Sequence, residues 1–160
     1  FAKMIRRSFA FDGRRRRPAT DPVNALLSLG YTMVYNEISS ILDGMGFDPY
    51  LGYYHQPRHG HATLASDLLE EFRTPLVDRL ALNLVNNQVF AEDDFFLHQA
   101  SGGMHLKDEP RKRYFAEYER FVNRSADNGA GFRGLFRQQA ERLRDAIVNQ
   151  NAYQPYRFEW

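Results

Sequence analysis

The sequence contains no cysteine, which excludes disulfides, thiolate nucleophiles and cysteine-type zinc sites and fits a reducing compartment. It also lacks any run of apolar residues near the ~18 that a membrane span needs. Its first residues, FAKMIRRSFAFDGRRRR, hold no apolar stretch of the kind that forms a secretory signal. Internal repeats and low-complexity tracts are absent too. These absences lead to the expectation of a cytoplasmic chain with no membrane partner. What is present is ordinary globular material: 160 residues, 43% hydrophobic and 26% charged, enough for one domain with its own core.

The net charge of +1 hides an uneven distribution. Residues 1–17 carry seven basic side chains (Lys3, Arg6, Arg7 and Arg14 to Arg17) against the single acid Asp12. The remaining residues are therefore net acidic. Such asymmetry points to a polyanionic partner at one end of the chain, and the bland reading is a solvated charged turn.

Hydrophobic spacing predicts an all-α fold of five or six helices in one domain. Residues 1–10 read as the last turns of a helix that Gly13, Pro18 and Pro22 break. Asp21-Pro22 is a start signal, a capping carboxylate followed by a proline at the first helical position. Leu27, Tyr31, Val34, Ile38 and Ile41 then recur at spacings of three and four, predicting a central helix to about Gly44. A Gly- and Pro-containing loop, DPYLGYYHQPRHGHAT, leads to a helix near Thr63 with the stripe Ala65, Leu68, Leu69, Phe72 and Leu76. Pro75 should kink or divide that helix. FAEDDFFLHQASGGMHL is poorly periodic and has room for a short hairpin. Two amphipathic helices follow, one around Tyr114 to Val122 and one around Phe132 to Ile147.

Asp67, Glu70 and Glu71 carry the clearest chemistry. At ~100° per residue, positions i, i+3 and i+4 share one helix face, and three carboxylates there repel unless solvated or neutralised by a cation. They form a half-site for Mg²⁺ or Mn²⁺, which prefer oxygen donors, or simply a wet face, which is how Glu71 is read. His55, on the loop before the acidic helix, can fold back onto these acids, and Mn²⁺ accepts nitrogen. His59 and His61 raise a histidine-only zinc site, but their spacing matches no defensible motif, and an exposed turn is preferred. Arg58 and Arg73 flank the acids. Beside a metal they would hold phosphate oxygens, and otherwise they form plain ion pairs.

RRRRPATDPVNALLSLGYTMVYNEI, GFDPYLGYYHQPRHGHATLASDLLEEFRTPLVDR and GGMHLKDEPRKRYFAEYERFV together resemble the catalytic domain of the CRISPR-associated spacer integrase family (Cas-one). The resemblance runs from about residue 1 to residue 123 and is weaker through the terminal helix. It implies a C-terminal helical domain preceded by a β-rich domain, dimerisation, and assembly with a small companion protein (Cas two). The implied activity is insertion of short DNA segments into the CRISPR array, with the prespacer and the CRISPR repeat as DNA partners.

The family metal set is a glutamate, a histidine and a later acidic residue. The histidine falls on His55 and the acidic pair on Asp67 and Glu70, with Glu70 as the direct ligand and Asp67 tuning the site. A basic residue after the acids falls on Arg73, and Arg14, Arg15, Arg16, Arg17 and Arg58 are the expected DNA contacts. The family's first glutamate is expected to lie upstream of Phe1, since Glu37 sits inside the central helix. The chain by itself is then expected to be inactive. The expected reaction is attack of a 3′-hydroxyl on a phosphodiester with Mg²⁺ or Mn²⁺, hydrolysis being the same chemistry with water. The alternatives are a non-catalytic nucleic-acid-binding helical module or an assembly platform within a larger fusion.

Overall fold

The computed structural model of the 160-residue chain describes all of it except residues 7, 8, 16, 57, 58, 125–130, 159 and 160. Among the described residues there are five α-helices: α1 (Pro22–Gly44), α2 (Thr63–Leu69), α3 (Arg79–Asn86), α4 (Asp108–Val122) and α5 (Phe132–Val148). Strands β1 (Phe95–His98) and β2 (Gly103–Leu106) form an antiparallel hairpin between α3 and α4, with Phe95 opposite Leu106 and His98 opposite Gly103. The fold is mostly helical, as the spacing predicts, with this hairpin where periodicity fails. No helix among the described residues is long and apolar enough to cross a membrane.

The start of α1 forms as its sequence dictates. The Asn24 N–H donates to Asp21 Oδ1 at 2.8 Å, capping one of the free amides of the first turn. At its other end Phe47 N–H donates to the Leu42 carbonyl and Gly46 N–H to that of Asp43. That closure needs a left-handed residue, and Gly46 supplies it at φ +81°. After α2 the backbone tightens into a 3₁₀ turn (Glu70–Phe72), widens into a π turn (Arg73–Asp78) and resumes as α3. Pro75 lies in the wide turn. Its missing N–H leaves one helical bond unmade, and the π geometry absorbs the gap without ending the helical path.

One expectation fails. Among the described residues of 1–10 there is no α-helix: Ala2–Met4 turn, as a 3₁₀ helix, and Ile5 is extended. Asn86 explains the difference, accepting from Arg6 N–H at 2.8 Å and donating to the Met4 carbonyl at 3.0 Å. The strand-like backbone gets its partners from that side chain instead of from its own turns.

The chain divides into two compact units, residues 1–32 with 76–121 and residues 33–75 with 122–160. In the first, Leu26, Leu80, Leu84 and Tyr114 are fully buried. The Tyr114 hydroxyl donates to the Leu26 carbonyl at 3.0 Å, and burial pushes its pKa far up. Gly30 lets α4 approach this closely, because a Cβ there would lie 2.7 Å from that hydroxyl and 2.9 Å from Val77. In the second unit Phe72 is fully buried, edge-on to Phe136 at 4.7 Å and stacked on Tyr156 at 5.6 Å. There α1 and α5 are joined by Arg133, which grips both carboxylate oxygens of Glu37 at 2.8 Å. Glu37 is thus engaged in an ion pair.

Candidate metal centre

The second unit assembles His55 and the acidic residues around the loop between α1 and α2. The loop is fixed first at its base. Thr63, fully buried, donates its hydroxyl to the Tyr50 carbonyl at 2.5 Å and accepts from Gly52 N–H at 3.0 Å. Leu64 N–H donates to the Pro49 carbonyl at 2.9 Å. The loop then presses on α2 at Gly52, where a Cβ would lie 2.8 Å from Asp67 Oδ2 and 2.9 Å from Thr63. Only glycine fits there without displacing one of them.

Asp67 organises the turn that follows. Its Oδ2 accepts from the N–H groups of Tyr53 at 2.6 Å and Tyr54 at 3.0 Å, and its Oδ1 from the N–H of His55 at 2.9 Å. The His55 Nδ1 lies 2.6 Å from the same Oδ1. Burial alone would raise the Asp67 pKa. The Tyr54 N–H, the His55 ring and the N–H groups of His55 and Tyr53 outweigh it and hold the carboxyl below its ordinary range. An ionised carboxylate can only accept, so Nδ1 carries the proton in this pair, and in the neutral imidazole Nε2 then holds the lone pair. The His55 side chain is 36% exposed and that of Asp67 13%. An imidazole oriented by a carboxylate at one nitrogen is the arrangement that metal-binding histidines use.

Glu70 lies one turn beyond Asp67, on the 3₁₀ segment, exposed and paired with Arg73 Nη1 at 3.0 Å. Glu71 departs from its reading as a solvated carboxylate. It accepts from the Tyr153 hydroxyl at 2.5 Å and from Tyr156 N–H at 2.6 Å, binding the segment after α5. Burial raises its pKa, against the lowering effects of Tyr153, Tyr156 and Arg142. His61 departs from the exposed turn as well: its Nε2 is 2.9 Å from Ser66 Oγ, and its ring stacks on Tyr35 at 5.2 Å. His59 is exposed as expected. Arg58 lies outside the described residues.

Sequence reasoning does not single out Tyr53 and Tyr54, whose residues are 73% and 84% exposed. They line a mostly apolar groove of about 380 Å³ with Leu64, Asp67, Leu68 and Tyr153 among its walls. Their exposure beside Gly52 is set by the three amides that turn towards Asp67, and no local pattern encodes that. Among the described residues, no group of three or more histidine, aspartate or glutamate side chains converges on one point. His55, with Asp67 behind its imidazole, and Glu70, one turn beyond Asp67, are thus a nitrogen and an oxygen donor set on neighbouring segments of the second unit.

The basic turn belongs to the first unit. Arg14 faces inward. It donates to the Arg15 carbonyl and Asn24 Oδ1 at 2.8 Å and to Ser28 Oγ at 3.1 Å, and it lies over the Tyr31 ring at 5.3 Å. The buried Asn24 also accepts from Arg15 N–H at 2.9 Å and donates to the Gly13 carbonyl and Asp21 Oδ2. Arg15 and Arg17 are exposed. Arg16 lies outside the described residues.

A family model for CRISPR associated protein Cas1 matches residues 1–120. A CRISPR-associated endonuclease Cas1 of Methanospirillum hungatei is 35% identical over 159 residues, which is 99% of this chain and 48% of that protein. Another, from Thermus thermophilus, is 42% identical over 123 residues, 77% of this chain and 36% of that protein. A chain of a Cas6-RT-Cas1–Cas2 complex superposes with a TM-score of 0.86 at 35% identity, over 99% of this chain and 18% of that one. The chain therefore spans half or less of the length of these relatives. With the family match covering three quarters of its residues, and relatives aligned along nearly its whole length, the chain belongs to the CRISPR associated protein Cas1 family.

Proposed function

We propose that this chain carries the catalytic centre of a metal-dependent DNA integrase and endonuclease, which inserts short DNA segments into a CRISPR array. The observation that supports it best is the His55–Asp67 pair, an imidazole on the loop held by a carboxylate that stands one turn before Glu70. In this reading His55 and Glu70 hold Mg²⁺ or Mn²⁺, and Asp67 fixes the tautomer and direction of His55. When bound, such an ion polarises a phosphoryl oxygen and stabilises charge on the attacking or leaving oxygen. The chain's own groups do the positioning. Arg73, released from Glu70 as that carboxylate turns to a cation, would take a phosphate oxygen. Arg15, Arg16, Arg17 and Arg58 would hold the DNA backbone, with Arg14 and Asn24 shaping the basic turn behind them. The nucleophile is a DNA 3′-hydroxyl in integration and water in cleavage. The endonuclease names of the relatives and the Cas1–Cas2 complex among the similar structures support a nuclease reading with a Cas2-type companion; a second copy of the chain is the further partner in this reading.

A second reading, a DNA-binding helical module without catalysis, draws on the lack of a three-donor group among the described residues. Metal removal separates the two. In an integration assay of a protein that carries this chain together with the upstream glutamate, with the companion protein and a CRISPR-repeat substrate, EDTA should abolish strand transfer and leave DNA binding intact. His55→Ala and Glu70→Ala should each lower strand transfer at least ~10²-fold, the scale of losing an electrostatic stabiliser. Near-normal integration by either variant removes that residue from the site. Replacing Arg15 and Arg17 by Ala should reduce the log–log salt slope of duplex binding by about 0.9 for each phosphate that is no longer neutralised. An unchanged slope would make them solubilising residues only.

A further inference from the structure

The hairpin of the first unit carries two histidines that play no part in the reading above. His98 ends β1 and His105 lies in β2, opposite Phe96. They are diagonal neighbours on one face of the two strands, a spacing that side chains of this length can bridge. Both are exposed. Their rings turn towards each other, with centres 5.2 Å apart. The nitrogens are directed at one point: His98 Nδ1 is 3.0 Å and His105 Nε2 3.4 Å from the same oxygen, Ser101 Oγ. Ser101 N–H also donates to His98 Nδ1 at 3.3 Å, so that nitrogen carries the lone pair of its ring, and an ion there would replace this long N–H bond.

We propose that His98 and His105 form a two-imidazole chelate for a borderline divalent transition-metal ion, such as Zn²⁺ or Ni²⁺, on the open face of the hairpin. The ring spacing fits that use. With Zn–N bonds of about 2.0–2.1 Å and a tetrahedral angle at the metal, two imidazole centres lie about 5.2 Å apart. The Ser101 hydroxyl stands where both nitrogens point, and rotation to another staggered position about its Cα–Cβ bond clears the point for an ion. That rotation gives up its weak bond from Gly103 N–H, which is 3.3 Å long. No third histidine or carboxylate joins the pair among the described residues, so water completes the coordination.

Two nitrogen donors and no carboxylate select against Mg²⁺ and Ca²⁺, which demand oxygen, and favour zinc, nickel and copper. The site therefore differs in ligand class from the half-site at His55 and Glu70. Its consequence is local. A two-stranded hairpin is marginal by itself, and this one holds the segment after the basic turn: Met104 N–H donates to the Ala19 carbonyl at 2.7 Å, and Pro18 lies against Gly103. An ion bridging β1 and β2 would brace that contact.

The test is a titration of the untagged chain with ZnCl₂ and, separately, NiCl₂ by calorimetry, in buffer free of phosphate. The expected result is a saturable site that perturbs the backbone amides of residues 96–105 in NMR spectra. His98→Gln and His105→Gln, both exposed and checked for folding by circular dichroism, should each weaken that site at least about tenfold. Losing a mere outer-shell partner already costs about 10–100-fold in metal affinity. His55→Ala should leave the site unchanged. Undiminished binding in the His98→Gln/His105→Gln double variant would place the ion on the loop histidines and overturn the proposal. Titrations with no saturable site in the parent chain would overturn it equally.

Discussion

Two irregular segments of the second unit, the loop at residues 48–62 and the tail at residues 149–158, dock on one helical stretch through carboxylates only four residues apart. The two carboxyls are shifted in opposite directions. Asp67 receives three backbone N–H groups and an imidazole, and its pKa falls. Glu71 receives one N–H and one phenol in a more buried position, and its pKa rises. The sign is set by how many donors the incoming backbone can aim at the oxygen against the water it displaces. A loop that wraps its amides around a carboxylate stabilises the charge. A tail that covers a carboxylate with rings and offers few donors penalises it.

The comparison can be broken at its tightest contact. Gly52→Ala drives a methyl group into Asp67 and Thr63 and should destabilise the chain by about 1–3 kcal/mol, the range for overpacking. On the proposed function it should also lower strand transfer, because the loop carries His55. A variant with parental thermal stability would show that the loop yields at this point and that the Asp67 clamp is soft.

Asp67→Asn tests the charge-stabilising arm. Its amide can accept at one oxygen only, so some of the three N–H groups lose their partner, at a cost of about 2–3 kcal/mol. The pH dependence follows from the depressed folded pKa. The stabilisation is present above the unfolded value and is lost as pH falls through the folded one. In chemical denaturation the gap between parent and variant should be constant from pH 7 to 5 and close near the acid limit. A gap that widens with acid would reverse the assignment.

Glu71→Ala, at about 1–2 kcal/mol for two donors left without an acceptor, tests the other arm and carries the opposite sign. A raised folded pKa contributes stability that is fully present below the unfolded value and is lost as pH rises through the folded one. The gap between parent and variant should therefore be larger at pH 5 than at pH 7. Tyr153→Phe keeps the ring and removes one donor, so it should give the smallest change, about 0.5–1.5 kcal/mol. If Tyr153→Phe equals Glu71→Ala in size, the phenol holds the tail and the Tyr156 amide contributes little.

What can be read from the residues follows the range over which each signal acts. Asp21-Pro22, the stripes at three and four, and the aperiodic stretch that becomes the hairpin are local patterns, and each marks an element that forms. The pairing of His55 with Asp67 is foreshadowed by a histidine on a loop preceding an acidic helix, and by the family resemblance. Glu71 is misread for a physical reason: helical spacing places it on a face with Asp67 and Glu70, but what covers that face arrives from more than eighty residues away, at Tyr153 and Tyr156. Arg14 illustrates the same limit at shorter range. Four consecutive arginines look equivalent in a sequence, yet the first is drawn inward by Asn24, Ser28 and Tyr31. The π turn at Pro75 lies between those cases, since a proline announces a disturbance and not its form.

The three successive amides at Tyr53, Tyr54 and His55 amount to a cradle of the kind that proteins use to catch phosphate, except that the anion here is built in. Because Asp67 already occupies it, an external anion finds no vacancy among those N–H groups and meets negative charge instead. On the proposed function, a nucleic-acid phosphate at this loop would be steered towards a cation or a guanidinium. A chain with alanine at position 67 would gain an anion trap where it now has a repulsive one.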